Sequence, residues 1–371
     1  MKVRLNRSVA LALTTAALCA VFAPQFAAQT SAAENPDVEK AALPVKGTVA
    51  LKYKTYRTWK FRLPAEAFTA VGSGFALPHA GGKTFAAKLE GTALAVDTNG
   101  DGKFDAKVER DKDAQVATGL VKLQGKSIDG KPFTYAARVV EAGKGWAFAA
   151  SGAMNGKIGE TKIRVIDQNN NGRYNDYGVD AVIVGRGQFA CFLSHAVNVA
   201  GKLYSFEITP DGSSLTYKPF EGKTGTLDLA TSAKIKAKVR SIVLRSTDGR
   251  YSFDAAKAGG GFAVPAGAYT LHSGELVLGD NTLKIRGGES KPLNVVADKK
   301  LEHVWGGPVR AEFAYQREGD QIGFDPAAIW YFGKGGEEYY DWAPLGNSPT
   351  FVISDLNSGE EILQVKFPGS T

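Results

Sequence analysis

Residues 97–105 read Asp-Thr-Asn-Gly-Asp-Gly-Lys-Phe-Asp, and residues 167–175 read Asp-Gln-Asn-Asn-Asn-Gly-Arg-Tyr-Asn. Both stretches have Asp or Asn at positions 1, 3, 5 and 9 and Gly at position 6. Each follows a short, mostly apolar run, Ala93–Val96 or Lys162–Ile166, which predicts that it connects two strands. The chain is therefore predicted to contain a repeated β unit with one such loop in each copy. We call residues 97–105 loop 1 and residues 167–180 loop 2.

Loop 1 carries the oxygen atoms that a hard cation such as Ca²⁺ requires. Ca²⁺ takes about six to eight ligands from carboxylates, amides and backbone carbonyls, and Gly at position 6 allows the sharp turn with positive φ. The predicted ligands are the side chains of Asp97, Asn99, Asp101 and Asp105, the backbone carbonyl of Lys103, and Glu109 as an extra carboxylate. The alternative is a hairpin of Asx turns that its own side chains hold without a metal.

Loop 2 has fewer charges within its first nine positions, which predicts weaker binding than in loop 1. Two further carboxylates follow it directly. The predicted ligands are Asp167, Asn169, Asn171, Asn175, Asp176 and Asp180, with Arg173 at the position of Lys103. Mg²⁺ is the poorer candidate for both loops because it tolerates irregular geometry badly.

The Asp-x-Asn-x-Asp-Gly-x-x-Asp pattern of loop 1 resembles the calcium loops of EF-hands, dockerin modules and thrombospondin-type repeats. The resemblance covers about nine residues and implies a cation loop. It does not extend to the EF-hand fold, because position 12 is Val108 rather than Glu and Ala93–Val96 has the pattern of a strand.

The whole chain is predicted to be all-β, with tandem sandwich or barrel domains. Short apolar runs such as 48–56, 162–166, 182–184, 203–208, 241–244 and 351–353 are separated by turn signals. We predict a duplicated β domain over 45–233, with repeat units at about 45–120 and 121–200 that share one core. Gly74-Phe-Ala-Leu77 and Gly145-Trp-Ala-Phe148 extend the repeat, and Phe104 and Tyr174 are expected to pack beneath their loops.

Beyond the duplicated domain the pattern changes. The phrase Val264-Pro-Ala-Gly-Ala-Tyr-Thr-Leu271 resembles the last hairpin of prealbumin-like (carboxypeptidase regulatory-like) sandwiches, and it implies such a fold over 234–305. A small C-terminal β-sandwich is predicted for 306–371, after Gly306-Gly-Pro308.

Residues 1–33 are predicted to be a secretory signal peptide, followed by a linker at 34–44. The pattern consists of a basic start with Lys2, Arg4 and Arg7, followed by an apolar stretch and then small residues. Removing the segment lowers the formal net charge from +7 to +4, which does not favour a nucleic-acid partner. No later run is long enough to span a membrane. The protein is therefore expected to be secreted or periplasmic.

No catalytic motif is evident, and the sequence favours a role other than catalysis. The four histidines are scattered singly, without zinc spacing, and neither a nucleophile elbow nor a phosphate loop occurs. Cys191 lies in an apolar run and is predicted to be a small buried hydrophobe. As a whole the chain resembles secreted bacterial β proteins, a likeness that implies no function.

Two functions remain open. The first is an exported Ca²⁺-binding β protein with a structural or binding role in the cell envelope or outside the cell. The second is a carbohydrate-binding or carbohydrate-active protein. Its glycan would contact a cleft between the repeats or the C-terminal aromatics Trp330, Tyr331, Tyr339, Tyr340 and Trp342. Exposure of both tryptophans would favour the second function, and burial would favour the first.

Overall fold

A computed structural model of the chain describes residues 2–4, 11–13, 45–78, 84–109, 118–143, 145–229, 231–257, 261–319, 321–341, 350–355 and 357–366. The described part is all-β, as predicted, and its one helical segment is the short 3₁₀ turn Ala255–Lys257. Among these residues there is no helix of the length and apolarity needed to cross a membrane.

Two four-stranded sheets belong to the first part of the chain. One contains the strands on either side of loop 1, in the order Gly74–Ala76, Thr84–Glu90, Ala93–Val96 and Ala106–Val108. The other has the order Thr118–Lys126, Pro132–Ala142, Gly145–Ala150 and Thr69–Ala70.

A five-stranded sheet holds loop 2. Its order is Cys191–Phe192, Ala181–Val184, Thr161–Ile166, Gly152–Ile158 and Lys52–Thr55. A four-stranded sheet lies next along the chain, in the order Ala196–Val199, Lys202–Ile208, Ser214–Pro219 and Gly47–Ala50. The strand predicted over 48–56 is therefore divided between two sheets. Leu51 is the buried residue at the crossing.

The largest sheet has nine strands. Its main path is Lys2–Arg4, Gln321–Phe332, Glu338–Tyr340, Asn281–Arg286, Gly267–Leu278, Lys238–Ser246 and Ser252–Asp254. Leu293–Val295 pairs with Gly267–Leu278, and Arg310–Glu318 pairs with Gln321–Phe332. This sheet runs across residues 306–308, and Trp305 and Tyr339 lie in the same apolar cluster.

Three small sheets complete the described part. The first has the order Phe262–Pro265, Thr224–Leu227 and Lys300–Leu301, and the second pairs Ala233–Lys234 with Trp305–Gly306. The third joins Leu11–Leu13, Thr350–Asp355 and Glu361–Lys366. Two of the three-residue strands, Lys2–Arg4 and Leu11–Leu13, lie in the predicted signal peptide, whose removal stays a prediction.

The hairpin expected from Val264–Leu271 is not formed. Phe262–Pro265 pairs with Thr224–Leu227, while Gly267–Leu278 pairs with three other strands. The chain turns a corner between two sheets here, and the buried Tyr269 hydroxyl donates to the Pro265 carbonyl at 2.8 Å. The alternating pattern predicted both strands correctly but not their partners, since pairing depends on residues distant in sequence.

Three apolar clusters form the interior. The first contains residues from both repeat units, among them Phe75, Phe85, Phe148 and Ile183. The second surrounds Tyr174 and includes Leu51 and strands up to Tyr217, and the third extends from Leu227 to Tyr339. Residues of the two repeat units thus pack together in one core. Cys191 lies in the second cluster and is buried, as predicted.

Candidate cation site

Both loops connect neighbouring antiparallel strands. Loop 1 joins strands in which Val96 pairs with Ala106, and loop 2 joins strands in which Ile166 pairs with Ala181. In each copy the first of these strands also forms a hairpin with the strand before it. The repeat is therefore a three-stranded meander with the loop between its second and third strands.

The two loops share backbone features at positions 4 to 7. Position 4 has positive φ in both, Gly100 at 75° and Asn170 at 61°. Position 6 does as well, with Gly102 at 90° and Gly172 at 82°. In both loops the side-chain oxygen of position 5 accepts a 2.8 Å hydrogen bond from the amide of position 7. Asn170 takes a conformation that few residues other than Gly adopt.

Backbone amides satisfy the first carboxylate of loop 1. Asp97 is 2 % exposed. Its oxygens accept from the amides of Asn99, Gly100, Asp101 and Gly102 at 3.3, 2.8, 3.3 and 2.8 Å. Burial alone would raise the pKa of Asp97, but these bonds outweigh it and hold the pKa below its usual value.

The other predicted ligands of loop 1 face solvent or one another. Asp105 is exposed and accepts 2.8 Å bonds from the amide and hydroxyl of Thr98, which lower its pKa. Glu109 forms a 2.9 Å ion pair with Lys107. Phe104 is 39 % exposed beneath the ammonium of Lys88 rather than packed under the loop. The expectation for Phe104 was therefore wrong, because loop 1 lies at the molecular surface.

Loop 2 buries its carboxylates. Asp167 and Asp180 are both 0 % exposed. Burial raises the pKa of Asp167 despite bonds from the amides of Gly172 and Asn171. Burial, followed by the charge of Asp167, raises the pKa of Asp180 still more. Two ionised carboxylates in this interior repel each other and lack water. Both the repulsion and the loss of water disfavour ionisation.

Asp176 is the centre of the polar cluster in loop 2. One of its oxygens accepts from the side-chain amides of Asn169 and Asn171 at 3.2 and 2.5 Å. Its backbone amide donates to Asp180 at 2.9 Å. The cluster thus joins positions 3 and 5 of the loop to the two carboxylates that follow position 9.

Three buried oxygens of loop 2 have no hydrogen-bond partner in the described part of the chain. They are Oδ1 of Asn169, Oδ1 of Asn175 and Oδ1 of Asp180. Most buried side-chain oxygens in proteins accept a hydrogen bond, so three orphans in one loop require an explanation. All three belong to side chains that the sequence predicts as ligands. Loop 1 contributes no such atom among the residues described.

No three His, Cys, Asp or Glu side chains of the described residues are grouped as a metal centre. A site in loop 2 would depend on amide oxygens as well, and Ca²⁺ accepts amide and carbonyl oxygens readily. The carbonyl contributions predicted for Lys103 and Arg173 stay predictions.

Loop 2 also holds several segments of the fold together. Asn170 is 2 % exposed. It accepts from the amide of Ala150 at 2.8 Å and donates to the carbonyl of Ala67 at 2.9 Å and the hydroxyl of Thr69 at 3.1 Å. The hydroxyl of Tyr177 bonds both Phe206 and Ile208 at 3.0 Å.

Neither Asn170 nor Tyr177 was selected from the sequence. The available signal for Asn170 was its place at position 4, where loop 1 has Gly. An Asn at a position that needs positive φ is a common substitute for Gly.

The C-terminal aromatics are only partly described. Trp330 is 39 % exposed, Tyr339 is 5 % exposed, and Trp342 lies outside the described residues. The carboxylate of Glu337 is buried and accepts from the amides of Gly306 and Gly335. The glycan prediction for this region stays a prediction.

Comparison with known proteins gives no family. No protein-family model matches the chain, and neither a curated protein nor a solved structure is significantly similar to it.

Proposed function

We propose that the protein is an exported, secreted or periplasmic β protein whose fold is stabilised by Ca²⁺ bound in loop 2, with a structural or binding role in the cell envelope or outside the cell. The observation that carries the proposal is the orphaned, fully buried Oδ1 of Asp180, together with the orphaned Oδ1 atoms of Asn169 and Asn175 in the same loop. A cation would supply the partner that these oxygens lack.

Electrostatics supports the same site. Three carboxylates, Asp167, Asp176 and Asp180, lie in one short loop. Burial and the repulsion between Asp167 and Asp180 disfavour the ionised forms of these two. A bound divalent cation reverses this effect because it favours the ionised form of each ligand. Binding then stabilises the folded state, since the unfolded chain does not hold these ligands together.

The ligand types favour Ca²⁺ over other metals. Carboxylate and amide oxygens suit hard cations, whereas the predicted set contains no thiolate or imidazole. Ca²⁺ accepts irregular geometry with about six to eight ligands, whereas Mg²⁺ requires a near-octahedral arrangement. The expected preference is Ca²⁺ over Mg²⁺.

Thermal unfolding with calcium added back after EDTA tests the proposal. At a free Ca²⁺ concentration about 100 times Kd, the expected stabilisation is about 2.7 kcal/mol. Such a gain corresponds to a rise in Tm of roughly 5 to 10 °C for a domain of ordinary size. Asp180→Asn should abolish the rise, whereas Asp101→Asn in loop 1 should preserve most of it. Equal responses to Ca²⁺ and Mg²⁺, or no response, would contradict the proposal.

A further inference from the structure

A cleft of about 840 Å³ lies directly beside loop 2. Its walls come from strand Lys52–Thr55, the turn at 127–134, Met154, residues 172–174 of loop 2 and the turn at 209–213. This volume is within the range of about 300–1,000 Å³ that small-molecule sites occupy. The cleft is thus large enough for a short oligosaccharide.

The lining combines ring surfaces with hydroxyl groups. Tyr53 and Phe133 provide aromatic surface, and Thr55, Thr134, Thr209 and Ser213 provide hydroxyls. A sugar ring has an apolar face that stacks on an aromatic ring and a polar edge that forms hydrogen bonds. The mixture of the two surface types along one cleft therefore suits a saccharide better than a wholly apolar molecule.

The two cations of the cleft are not equivalent. Lys131 is already neutralised, because its ammonium lies 3.2 Å from Asp129 and 3.3 Å from Asp211. Asp211 also accepts from Thr209 and Ser213, and these bonds, acting against burial, hold its pKa low at about 2. Lys131 is therefore occupied by two carboxylates, and this group keeps one negative charge in excess.

Arg173, by contrast, has no anion beside it among the described residues. Its Nε is buried without a hydrogen-bond partner, and the side chain lines the cleft. A guanidinium is always charged and its flat fork matches a carboxylate, which it binds through two parallel hydrogen bonds. A carboxylate on the ligand would pair with this guanidinium.

We propose that this cleft binds an acidic oligosaccharide containing a uronate, with its carboxylate on Arg173 and its ring faces on Tyr53 and Phe133. Arg173 and Tyr174 belong to loop 2, and the amide of Tyr174 donates to the carbonyl of Pro210 at 3.1 Å. The inference therefore rests on the proposed function, because Ca²⁺ in loop 2 fixes one wall of the cleft.

Calorimetric titration of the full chain tests this inference, with calcium kept in excess over the sugar. The probes are trimers of galacturonate, glucuronate and mannuronate, together with the methyl ester of each trimer as a neutral control. At least one acid is expected to bind at least ten times more tightly than its ester. Arg173→Gln should weaken binding of that acid tenfold or more, Arg173→Lys should restore part of it, and the exposed control Arg186→Gln should leave it unchanged.

Several results would overturn the inference. They are the absence of binding by all three acids, equal binding of acid and ester, and equal losses in Arg173→Gln and Arg186→Gln. Inorganic sulfate binding as tightly as the best acid would also overturn it, since Arg173 would then be a simple anion site. The calcium-dependent Tm of the unaltered protein, measured in parallel, separates this failure from failure of the proposed function. A calcium response without uronate binding would leave the cation site intact.

Discussion

Loop 1 and loop 2 share backbone features at positions 4 to 7, yet their surroundings differ. In loop 1 only the first carboxylate is buried, and four backbone amides bond it. In loop 2 two carboxylates are buried, and one of them keeps an oxygen without a partner. The comparison teaches that the charge count of such a loop does not by itself indicate its need for a cation. The number of oxygens that the protein leaves unpaired is the better guide.

Substitution at position 4 is expected to give the largest difference between the loops in the loss of unfolding free energy. Asn170→Ala would leave the amide of Ala150 and the carbonyl of Ala67 without partners and would impose positive φ on Ala. The expected loss is about 3 to 5 kcal/mol of unfolding free energy. Gly100→Ala imposes only the strain, about 1 to 2 kcal/mol.

Chemical denaturation of both variants measures these losses. Asn170→Gly is the matched control, because it keeps the backbone conformation and removes only the hydrogen bonds. Equal losses in Asn170→Ala and Gly100→Ala would mean that loop 2 has no special role in connecting the fold.

The second prediction concerns the Tm of Asp180→Asn. The difference in Tm from the unaltered protein should change sign when calcium is added. Without calcium, Asp180→Asn removes a buried carboxyl group whose ionisation burial and Asp167 oppose, so Tm in EDTA should rise by a few degrees at a pH above about 9, where that group ionises. With calcium, the variant loses a charged ligand, and its Tm should fall below that of the unaltered protein. A lower Tm in both conditions would indicate that the carboxylate is needed for packing alone.

The third effect is a pH dependence that calcium reverses. The folded pKa of Asp167 and of Asp180 is raised above the unfolded value. Without calcium, the stability that these groups contribute is therefore complete below the unfolded pKa, near 4, and is lost as pH rises through the folded pKa values. Tm in EDTA should fall between about pH 5 and pH 8.

Bound Ca²⁺ favours the ionised carboxylates, so the gain in Tm on adding calcium should grow over the same range of pH. Scanning calorimetry at several pH values, with EDTA or with calcium, measures both trends. A calcium effect that shrinks with rising pH would contradict loop 2 as the site.

The smallest loss of stability is expected for a substitution at the surface of loop 1. Asp105→Ala removes two bonds to Thr98 at an exposed position, so the expected loss is within about 1 kcal/mol. The calcium-induced rise in Tm should survive in this variant. If Asp105→Ala abolishes that rise, loop 1 rather than loop 2 is the structural site.

Much of the fold was predictable because it depends on local patterns. Strands with alternating or continuous apolar residues, such as 162–166 and 203–208, were identified correctly within one residue at each end. The repeated loop was visible because Gly102 and Gly172 stand at the position that needs positive φ. Strand partners were less accessible, as two places show: the split at Leu51, and the two strands on either side of Ala266, which pair with other strands instead of with each other.

The candidate site was only half predictable for a related reason. The sequence pattern indicates which side chains carry oxygen atoms, and the backbone turn confirms that both loops present them similarly. Burial depends instead on what packs against a loop. Segments 65–69, 148–150 and 206–210 cover loop 2, and they come from distant parts of the chain.

The sequence by itself determined the all-β class, the repeated meander and the shape of the two loops, because each follows from periodicity and from residues that allow positive φ. Only the tertiary structure decided that loop 2 is buried, that its carboxylates repel one another and that Arg173 lines a cleft. The physical reason is that desolvation and unpaired charge arise from contacts between segments far apart in the chain. Two loops with the same pattern of Asp, Asn and Gly can therefore differ in how many buried oxygens the protein leaves without a partner.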